Sequence, residues 1–367
     1  VETAPDRHIL LFDMHHIICD GSSMTLFLKE FMTFYSGGVL PLLALQYKDF
    51  AQWQHNQLTA GKLEKEQEYW LKKFPGELPV LNMPTDFPRP AVQSFEGEKF
   101  EFKLGNSVTV SLKNLMKEAG VTLYMALLAI YNILLAKYSG QEDIVIGTTI
   151  AGRHHTDLQG IIGLLIETLV QRNYPAGQLE FKTFLEMVKQ ETLESHENQA
   201  FPFREVIRLV GADNEVSRNP VFDAMLMVQN FETTEFYLEG LKFLPYLPIQ
   251  EDLHKTSKVD FTIEAIDTAG SEEILCSLEY CTRLYNRETM ERFARHFMNI
   301  LHEVAAAPGI RLAEIKVIDA AERRLLLETF NDTSHKNVRG IPRLVTDRFL
   351  DQAVKTPVRI GIIGFCQ

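Results

Sequence analysis

The segment LLFDMHHIICDGSSMTLF, residues 10–27, places two histidines, an aspartate and a glycine between apolar runs of different periodicity. The first run, residues 8–18, is rich in Ile, Leu and Phe and ends in a polar turn sequence, which predicts a buried strand. The second run has helical spacing, Ser22 or Ser23 can provide its N-cap, and a Ser-Gly-Gly sequence predicts its end. The histidines are therefore predicted to lie at a strand-to-helix junction.

The two histidines, His15 and His16, are direct neighbours in this predicted strand. Neighbouring side chains in a strand point to opposite faces, so the two imidazoles cannot both face the same space. The same divergence argues against a metal site. A second argument against it is that no further ligand residue has a helpful spacing. One histidine can take part in chemistry while the other supports the fold.

Length and charge restrict the classes of function that this chain can have. With 367 residues, 46% of them hydrophobic and 23% charged, it has the profile of a globular protein of two domains or two lobes. The net charge of −12 is spread along the chain, and no Lys/Arg-rich run resembles a phosphate-binding stripe. We therefore expect no nucleic acid partner.

The cysteines and the apolar runs predict a cytoplasmic protein with no membrane span. The four cysteines include no CxxC pair and are too few for a disulfide framework, so we expect reduced thiols. The longest apolar run, residues 125–136, is interrupted by Tyr131 and Asn132 and is too short to cross a bilayer. The first residues lack the apolar core of a signal peptide and the chain has no initiator Met, which suggests a piece of a longer protein.

Periodicity along the rest of the chain predicts an α/β or α+β architecture with at least one mixed sheet. Helices are predicted over residues 62–74, 108–119, 122–138, 181–198 and 286–304. Strands are predicted over residues 99–104, 143–151, 221–230, 258–267 and 272–282. Residues 79–97 carry four prolines and no helical period, which favours a linker between two lobes.

Several segments together resemble one protein family. HHIICDG, residues 15–21, resembles the HHxxxDG signature of the condensation domains of nonribosomal peptide synthetases. LQYKDFAQWQ resembles their YKDFAxWQ motif, ENQAFPFREVI their QDYPFE motif, and NEVSRNPVFDAMLMVQN their RDxSRNPLFD motif. TTIAGRHHTDLQGIIGLLIETLVQR, residues 148–172, is similar to the stretch that carries their GxFVNT motif. These motifs follow in family order over roughly residues 8–333, so chance agreement is not a serious alternative.

The resemblance implies the two-lobed fold of chloramphenicol acetyltransferase, with mixed sheets and an active site in a tunnel between the lobes. Residues 1–78 are then the C-terminal part of the first lobe, 79–97 the linker and 98–324 the second lobe. Residues 325–367 resemble the connection to an adenylation domain and its first residues, and they end before any nucleotide-binding motif. Because the family motifs that precede HHxxxDG are absent, we interpret the chain as a fragment with an incomplete first lobe.

The fragment interpretation has consequences for the isolated chain. Apolar faces that the missing portion would cover should remain exposed, and exposed patches of this kind favour self-association. The unpaired edge of the motif strand adds to that tendency. We therefore expect low solubility or oligomers, and a poor catalyst even though the histidines are present.

The reaction implied by the resemblance joins two substrates by an amide bond. The amine of a downstream aminoacyl thioester attacks an upstream acyl or peptidyl thioester, and each substrate is held on the phosphopantetheine arm of a carrier protein. The implied partners are these two carrier proteins and an adenylation domain in cis, and the domain itself holds no cofactor. The site must orient the substrates, accept a proton from the amine and stabilise the tetrahedral oxyanion.

In the family the second histidine of the motif faces the reaction channel, which implies that His16 is catalytic and His15 structural. A neutral imidazole can accept the proton of the attacking amine. For Asp20 the resemblance implies an architectural ion pair with an arginine, which usually comes from the lobe that is absent here. A buried Asp20 without that partner would have a raised pKa. Gly21 is expected to allow a backbone conformation that a side chain would obstruct.

Three positions depart from the family pattern. Ser22 replaces a common Trp. Arg204 replaces the glutamate that ends QDYPFE, at a position that we expect to lie on the surface. Glu167 replaces the amide of FVNT, so it cannot donate the hydrogen bonds of an amide and would bring negative charge towards an oxyanion if it faces the tunnel. Further candidates for tunnel-lining or structural roles are Thr168, Ser217, Arg218 and Asn219, and mainly structural roles are expected for Tyr47, Asp49 and Trp53.

Two other functions stay open at this point. An epimerisation domain of the same family would use a glutamate in an EGHGRE-like segment, and no such segment occurs. A non-catalytic fragment that docks carrier proteins is the alternative from a different class. A serine nucleophile is not indicated, because the chain has no GxSxG sequence. The residue patterns do not identify the amino acids that are joined, the donor stereochemistry or the product.

Overall fold

The structure, a computed structural model, describes residues 2–4, 6–212, 216–229, 236–238, 241–243, 255–267, 273–332 and 345–357. The chain divides into two compact units, Val1–Val317 and Ile318–Gln367. Among the described residues, the larger unit contains all the sheets and all the candidate site residues. The smaller unit consists, in its described part, of helical segments.

The helices are α1 Gly21–Tyr35, α2 Tyr47–Thr59, α3 Glu64–Lys73, α4 Asn106–Ala119, α5 Leu123–Ser139, α6 Phe181–Glu197, α7 Phe203–Val210, α8 Arg287–Ala306, α9 Ala320–Arg324 and α10 Val345–Lys355. The strands are β1 Glu2–Ala4, β2 Arg7–His8, β3 Gly97–Leu104, β4 Ile144–Ile150, β5 Glu167–Asn173, β6 Ala224–Gln229, β7 Phe236–Leu238, β8 Leu241–Phe243, β9 Phe261–Asp267 and β10 Ile274–Cys281. A turn of π-helix, Leu325–Thr329, follows α9.

A mixed six-stranded sheet organises the larger unit, in the order β3-β10-β9-β6-β4-β5. Strand β6 is parallel to both of its neighbours, β4 and β9. The other three pairings, β3 with β10, β10 with β9 and β4 with β5, are antiparallel. The predicted α/β class with a mixed sheet is therefore confirmed. In this topology the C-terminal end of β4 and the N-terminal end of β5 meet at one edge of the sheet, where Ile150 pairs with Glu167.

Helices α4, α5, α6 and α8 pack together on one face of the sheet. Every residue of α5 from position 125 to 135 is buried, and such a helix, apolar on all sides, belongs in the centre of a core. Among the described residues no single helix is long and apolar enough to cross a membrane, although α4 and α5, which meet at 106°, would together suffice by length and composition.

The other face of the sheet is covered at β4 and β5 by α3 and α7. Trp70 of α3 and Val206 of α7 are almost completely buried there, in one cluster with Val145 of β4 and Val170 of β5. The indole N–H of Trp70 donates to the carbonyl of Asn198 at 3.2 Å. The edge of the sheet that carries Ile150 and Glu167 is thus held between helices on both faces.

The predicted strand over residues 8–18 is wrong. After β2 the chain has no regular structure from position 9 to 15, and His16–Ile18 form a single turn of 3₁₀ helix. A strand is stabilised by a ladder to a neighbouring strand, and within the described residues this segment has none beyond His8. Four of its apolar side chains are accordingly exposed, with Leu11 at 81%. The ring of Phe12 packs instead against Phe27 and Phe31 of α1.

Other predicted elements agree with the structure to within a few residues. Five helices, α3, α4, α5, α6 and α8, and five strands, β3, β4, β6, β9 and β10, lie where the periodicity placed them. The N-cap of α1 is Asp20, whose side chain accepts the N–H of Ser23, so the prediction of a serine cap is wrong. The elements that were not predicted are helices α2, α7, α9 and α10 and strands β1, β2, β5, β7 and β8. The predicted linker, residues 79–97, contains no helix, and only its last residue belongs to a strand.

We predict that the purified 367-residue chain self-associates through the region that contains α1 and the loop after it. Large apolar side chains are exposed there, including Val39 at 89%, Leu42 at 99% and Leu43 at 62%. Exposed apolar surface drives association. Sedimentation velocity should show oligomers at micromolar protein, and the triple change Val39→Ser, Leu42→Ser, Leu43→Ser should shift the distribution towards monomer. Monodisperse monomers of the unchanged chain would contradict the prediction.

Candidate active site

His15 and His16 lie on the 3₁₀ turn and have different hydrogen bonds. His15 is the N-cap of the turn, and its Nδ1 accepts the backbone N–H of Ile17 at 3.1 Å. His16 Nδ1 lies 2.8 Å from the carbonyl oxygen of Cys19. A carbonyl oxygen only accepts, so Nδ1 of His16 carries a proton, and its Nε2 holds the free lone pair when the ring is neutral. Neutral His15 has the opposite tautomer.

The backbone closes this turn around His16. The N–H of Cys19 donates to the carbonyl of His16 at 3.2 Å, while the ring of His16 donates back to the carbonyl of Cys19. The two groups thus form a reciprocal pair that fixes the imidazole to its own turn. Both histidines are exposed, so Nε2 of His16 is accessible as a proton acceptor.

Asp20, directly after this turn, is buried at 3% exposure and accepts five hydrogen bonds. The N–H of Ser23 donates to Oδ1 at 2.8 Å, and the N–H groups of Leu165 and Ile166 donate to Oδ2 at 3.0 and 3.2 Å. The guanidinium of Arg153 adds a bidentate pair, with Nη1 to Oδ2 at 2.9 Å and Nη2 to Oδ1 at 3.0 Å. The carboxylate therefore joins the start of α1 to the segment between β4 and β5.

The expectation that Asp20 lacks its arginine is wrong. Arg153, which follows β4, supplies the guanidinium, and both side chains of the pair are nearly free of solvent, at 6% and 1% exposure. Burial by itself would raise the pKa of Asp20, but the hydrogen bonds from Arg153, Ser23 and Leu165 outweigh it and lower the pKa to about 2. Asp20 is thus an ionised architectural group at neutral pH, and the predicted upward shift is wrong as well.

The loop between β4 and β5, residues 151–166, depends on two glycines. Gly152 has a φ of +65°, and a Cβ there would overlap the carbonyl of Leu165. A Cβ on Gly163 would overlap the ring of Tyr47 from α2. Phe50 of α2 packs with Leu158, Ile161 and Leu165 of the loop in a small apolar cluster. The three motif segments that begin at His15, Tyr47 and Thr148 therefore converge on this loop.

The residues of α2 that were expected to be structural have packing or capping contacts. Tyr47 packs on the loop as described, and Asp49 accepts the backbone N–H of Gln46 at 2.8 Å in a capping box. The ring of Trp53 lies 6.3 Å from that of His154, centroid to centroid. The contacts of Tyr47 and Trp53 place α2 against the 151–166 loop, whereas the capping box of Asp49 stabilises the start of α2 itself.

Glu167 and Thr168 open strand β5 and are both half-buried. Glu167 follows Ile166, whose N–H is bound by Asp20, so it lies one residue from the anchored backbone. Burial raises the pKa of Glu167, and a hydrogen bond with the side chain of Gln54 from α2 opposes part of that rise. Thr168 is paired with Thr149 of β4. The structure thus places Glu167 beside the Asp20 network and in contact with α2.

Three of the predicted site residues lie at the opposite end of the strands, near the start of β4 and β6: Ser217, Arg218 and Asn219. They precede β6, whose first residue Ala224 pairs with Ile146 near the start of β4. The seven residues of β4 extend about 20 Å, so this group is far from Asp20. The carbonyl of Ser217 accepts a hydrogen bond from Arg89 at 3.4 Å, and the side chain of Asn219 accepts the N–H of Val221 at 3.3 Å.

Arg218 belongs to a buried charge cluster at that end of the strands. It donates to Asp223 at 2.9 Å, and Arg89 of the predicted linker forms a bidentate pair with Asp260 at the start of β9. Burial, followed by the nearby charge of Asp260, raises the pKa of Asp223, while Arg218 and Arg89 oppose the rise. The cluster fastens the segment around Arg89 to the ends of β6 and β9, which is a structural arrangement.

Gly21 does not have the predicted conformational role. It is the first residue of α1 and lacks a positive φ. Apart from its chain neighbours and the backbone of its own helix, no heavy atom of the described residues lies within 4 Å of a Cβ placed there. Ser22 is exposed, and Arg204, on α7, is exposed as expected. Among the described residues, no group of three or more His, Cys, Asp or Glu side chains could hold a metal ion.

Arg153 is the site residue that sequence reasoning missed. It lies 133 positions from Asp20 along the chain, and no local periodicity links the two. The available signal was that Arg153 follows Gly152 directly after the predicted buried strand 143–151. Polar side chains often gather at the ends of such strands. A carboxylate elsewhere in the chain that needs a partner makes such an arginine a candidate.

Comparison with known sequences identifies the family of this chain. The profile of the condensation domain matches residues 1–327. Bacitracin synthase 3 of Bacillus licheniformis is 41% identical over 363 residues, which cover 99% of this chain and 6% of that protein. Tyrocidine synthase 3 of Brevibacillus parabrevis is 43% identical over 357 residues, 97% of this chain and 5% of that protein. The chain thus spans a small fraction of the length of these relatives.

Solved structures share the fold. A four-domain nonribosomal peptide synthetase bound to AMP and glycine has a TM-score of 0.78 at 22% identity, covering 93% of this chain and 27% of that one. The X-domain from teicoplanin biosynthesis has a TM-score of 0.73 at 22% identity, covering 83% of this chain and 70% of that one. The α/β fold is therefore of the chloramphenicol acetyltransferase-like type, and the chain belongs to the condensation-domain family of nonribosomal peptide synthetases.

Proposed function

We propose that this domain catalyses amide-bond formation between two carrier-bound substrates. The amine of a downstream aminoacyl thioester attacks the carbonyl of an upstream acyl or peptidyl thioester, and the thiol of the upstream phosphopantetheine arm leaves. The partners are an upstream and a downstream carrier protein, with an adenylation domain in cis. The domain contributes no bound cofactor to this reaction, because a thioester is already activated towards an amine.

The observation that carries the proposal is the hydrogen bonding of His16. Its Nδ1–H is bound to the carbonyl of Cys19 at 2.8 Å, which leaves the lone pair of the neutral ring on Nε2. That nitrogen accepts the proton of the attacking amine as the new C–N bond forms, and it can return the proton to the departing sulfur. His15, with Nδ1 engaged by Ile17, has a structural role in the turn.

Asp20 and Arg153 support His16 from a distance rather than touching substrate. Their bidentate pair is buried, and the carboxylate is saturated by five donors, so it has no free lone pair aimed at the imidazole. A triad in which Asp20 orients His16 directly is therefore not part of the proposal. The pair instead fixes the backbone on which the histidine turn is built.

The test is a condensation assay with two loaded carrier proteins and the intact protein that contains these residues. The expected product is a downstream carrier that bears the elongated acyl chain, detected by intact-protein mass spectrometry. Inversion of the donor Cα without a new amide bond would instead support an epimerisation domain. Carrier binding without either reaction would support a non-catalytic docking fragment, and both outcomes would overturn the proposal.

We predict that Glu167→Asn leaves the rate of amide formation unchanged or raises it. The change restores an amide at this half-buried position one residue from the Asp20 network. It also removes a carboxylate whose charge would oppose an oxyanion formed in a channel that the side chain faces. Because burial raises the pKa of Glu167, the wild-type side chain loses its proton as pH rises, and the gain should be largest at alkaline pH.

Rates of the wild type, Glu167→Asn and the isosteric Glu167→Gln across pH 6 to 9 provide the measurement. The Gln variant separates the loss of charge from the change in length. A large decrease in both variants would mean that the acid has a function of its own and that this departure from the family motif is not a liability.

A further inference from the structure

We propose that Ser23 is a positioning residue of the site, and that its hydroxyl holds the Asp20–Arg153 pair in register with the 151–166 loop. The inference rests on the proposed role of His16. Ser23 lies in the first turn of α1, and its side chain has no exposed surface. A buried hydroxyl requires partners for both its proton and its lone pairs, so its surroundings define what it does.

The hydroxyl of Ser23 has a complete set of partners. It donates to the carbonyl oxygen of Gly163 at 2.9 Å, and it accepts the N–H of the same glycine at 3.0 Å. It also accepts a hydrogen bond from Nη2 of Arg153 at 2.9 Å. One donor and two acceptor positions are thereby filled, and the oxygen bridges the guanidinium to the backbone of the loop.

This bridge fixes the groups that bind Asp20. Arg153 Nη2, which reaches the Ser23 oxygen, also donates to Asp20 Oδ1. Leu165 and Ile166, two and three residues after Gly163, donate their N–H groups to Asp20 Oδ2. A movement of Gly163 away from α1 therefore displaces the backbone donors of the carboxylate as well as one guanidinium contact.

A displacement of Asp20 is transmitted to His16 through one peptide bond. Asp20 directly follows Cys19, and the carbonyl of Cys19 is the acceptor that determines the tautomer of His16. Removing the Ser23 hydroxyl leaves the N–H and the carbonyl of Gly163 without this partner at a site that excludes solvent. The loop then has to shift to satisfy those groups, and the carbonyl of Cys19 moves with it.

The chain provides a matched control in the neighbouring serine. Ser22 occupies the same first turn of α1 and has the same helix propensity, but it is exposed. Ser22→Ala and Ser23→Ala therefore remove the same hydroxyl from adjacent positions. Any difference between the two variants comes from the buried contacts of Ser23 and not from the helix.

The experiment combines kinetics with a spectroscopic reading of His16 in the intact protein. In the condensation assay, we expect Ser23→Ala to lower kcat by about 10- to 100-fold with little change in KM for either carrier substrate, because orientation is lost while binding is kept. Ser22→Ala should match the wild type. In ¹⁵N spectra of histidine-labelled protein, assigned with His16→Gln, the single Nδ1–H tautomer of His16 should become a mixture only in Ser23→Ala.

The two readouts separate the failure of this inference from a failure of the proposed function. If Ser23→Ala leaves the His16 spectrum and kcat at the values of Ser22→Ala, the positioning role is overturned. If the wild type catalyses no condensation but the His16 spectrum changes as expected, the positioning role stands and the reaction assignment falls.

A second pair of variants keeps the test decisive if Ser23→Ala does not fold. Ser23→Thr retains the hydroxyl, whereas Ser23→Cys replaces it with a thiol, which is a weaker donor and acceptor. We expect Thr to preserve the His16 spectrum and the rate, and Cys to impair both. Equal behaviour of the two folded variants would contradict a role for the oxygen atom.

Discussion

Replacing His16 with alanine is expected to lower amide formation by about 10²- to 10⁴-fold, the usual range for loss of a general acid–base group. The expectation follows from the hydrogen bonds of the ring, because Nδ1–H is held by the Cys19 carbonyl and Nε2 is left as the proton acceptor. His15→Ala should keep most of the activity and lower the free energy of unfolding by roughly 1 kcal/mol or less, since it removes the exposed cap of a short turn.

The measurement compares single-turnover rates of both variants with that of the wild type in the condensation assay, at saturating concentrations of both loaded carriers. Circular dichroism and urea unfolding establish that each variant is folded. Equal catalytic losses in two folded variants would contradict the division of roles between the histidines. A rate for His16→Ala within a factor of three of the wild type would remove the proton acceptor from the mechanism.

Strand geometry is not the reason for this division of roles between the two histidines. Strand geometry suggested that His15 and His16 face opposite sides, but the residues form a 3₁₀ turn and not a strand. A segment rich in Ile, Leu and Phe, such as residues 8–18, has the same pattern whether or not a partner strand lies beside it. The pairing that decides between strand and loop is a long-range property, so residues 9–15 could not be assigned from their own sequence.

Elements with a strong local signal were predicted well. Helix α5 is apolar on nearly every face and lies between a Thr N-cap and a Gly C-cap, and the structure has both caps at Thr122 and Gly140. Helix α2 escaped prediction because its N-cap is Gln46, a residue with weak capping preference, and polar residues are interleaved with its aromatic ones. The family motif identified this segment without revealing that it is a helix.

The site itself was only partly predictable, because its central contact joins distant parts of the chain. The motif identified Asp20 as an ion-pair residue, but sequence spacing gives no information about a partner 133 positions away. The parallel and antiparallel pairings of β4 determine which loop returns to α1. Glu167, found as a departure from a motif, is adjacent to that network for the same topological reason.

Changing Arg153 to methionine is expected to destabilise the fold by about 3–5 kcal/mol, the usual cost of leaving one member of a buried ion pair without its partner. Methionine keeps much of the side-chain volume but supplies no donor, so the buried carboxylate of Asp20 loses its bidentate guanidinium contacts. The matched control is Arg287→Met, which breaks an ion pair with Glu291 on the surface, where the arginine side chain is 57% exposed. This change should lower the free energy of unfolding by less than about 1 kcal/mol.

The pH dependence of this effect has a defined sign. Because the pKa of Asp20 is lowered to about 2 in the folded protein, its ionised form stabilises the fold fully above about pH 4, and that contribution is lost as pH falls through about 2. Arg153→Met removes two of the five hydrogen bonds to this carboxylate while burial still raises its pKa, so the pKa of Asp20 should be higher in the variant than in the wild type, and the variant should lose less stability as pH falls. The gap in unfolding free energy between the wild type and Arg153→Met should therefore be widest near pH 7 and should narrow towards pH 3.

Urea unfolding of the wild type, Arg153→Met and Arg287→Met at pH 7, 5 and 3 measures both parts of the prediction. Adding Asp20→Asn to Arg153→Met removes the stranded charge while retaining an N-cap for α1, so the double variant should be more stable than Arg153→Met alone. If Arg153→Met is no less stable than Arg287→Met at pH 7, the pair contributes nothing to the fold. The anchoring of the histidine turn must then come from the backbone N–H groups of Ser23, Leu165 and Ile166 and from the contacts of the Ser23 hydroxyl with Gly163.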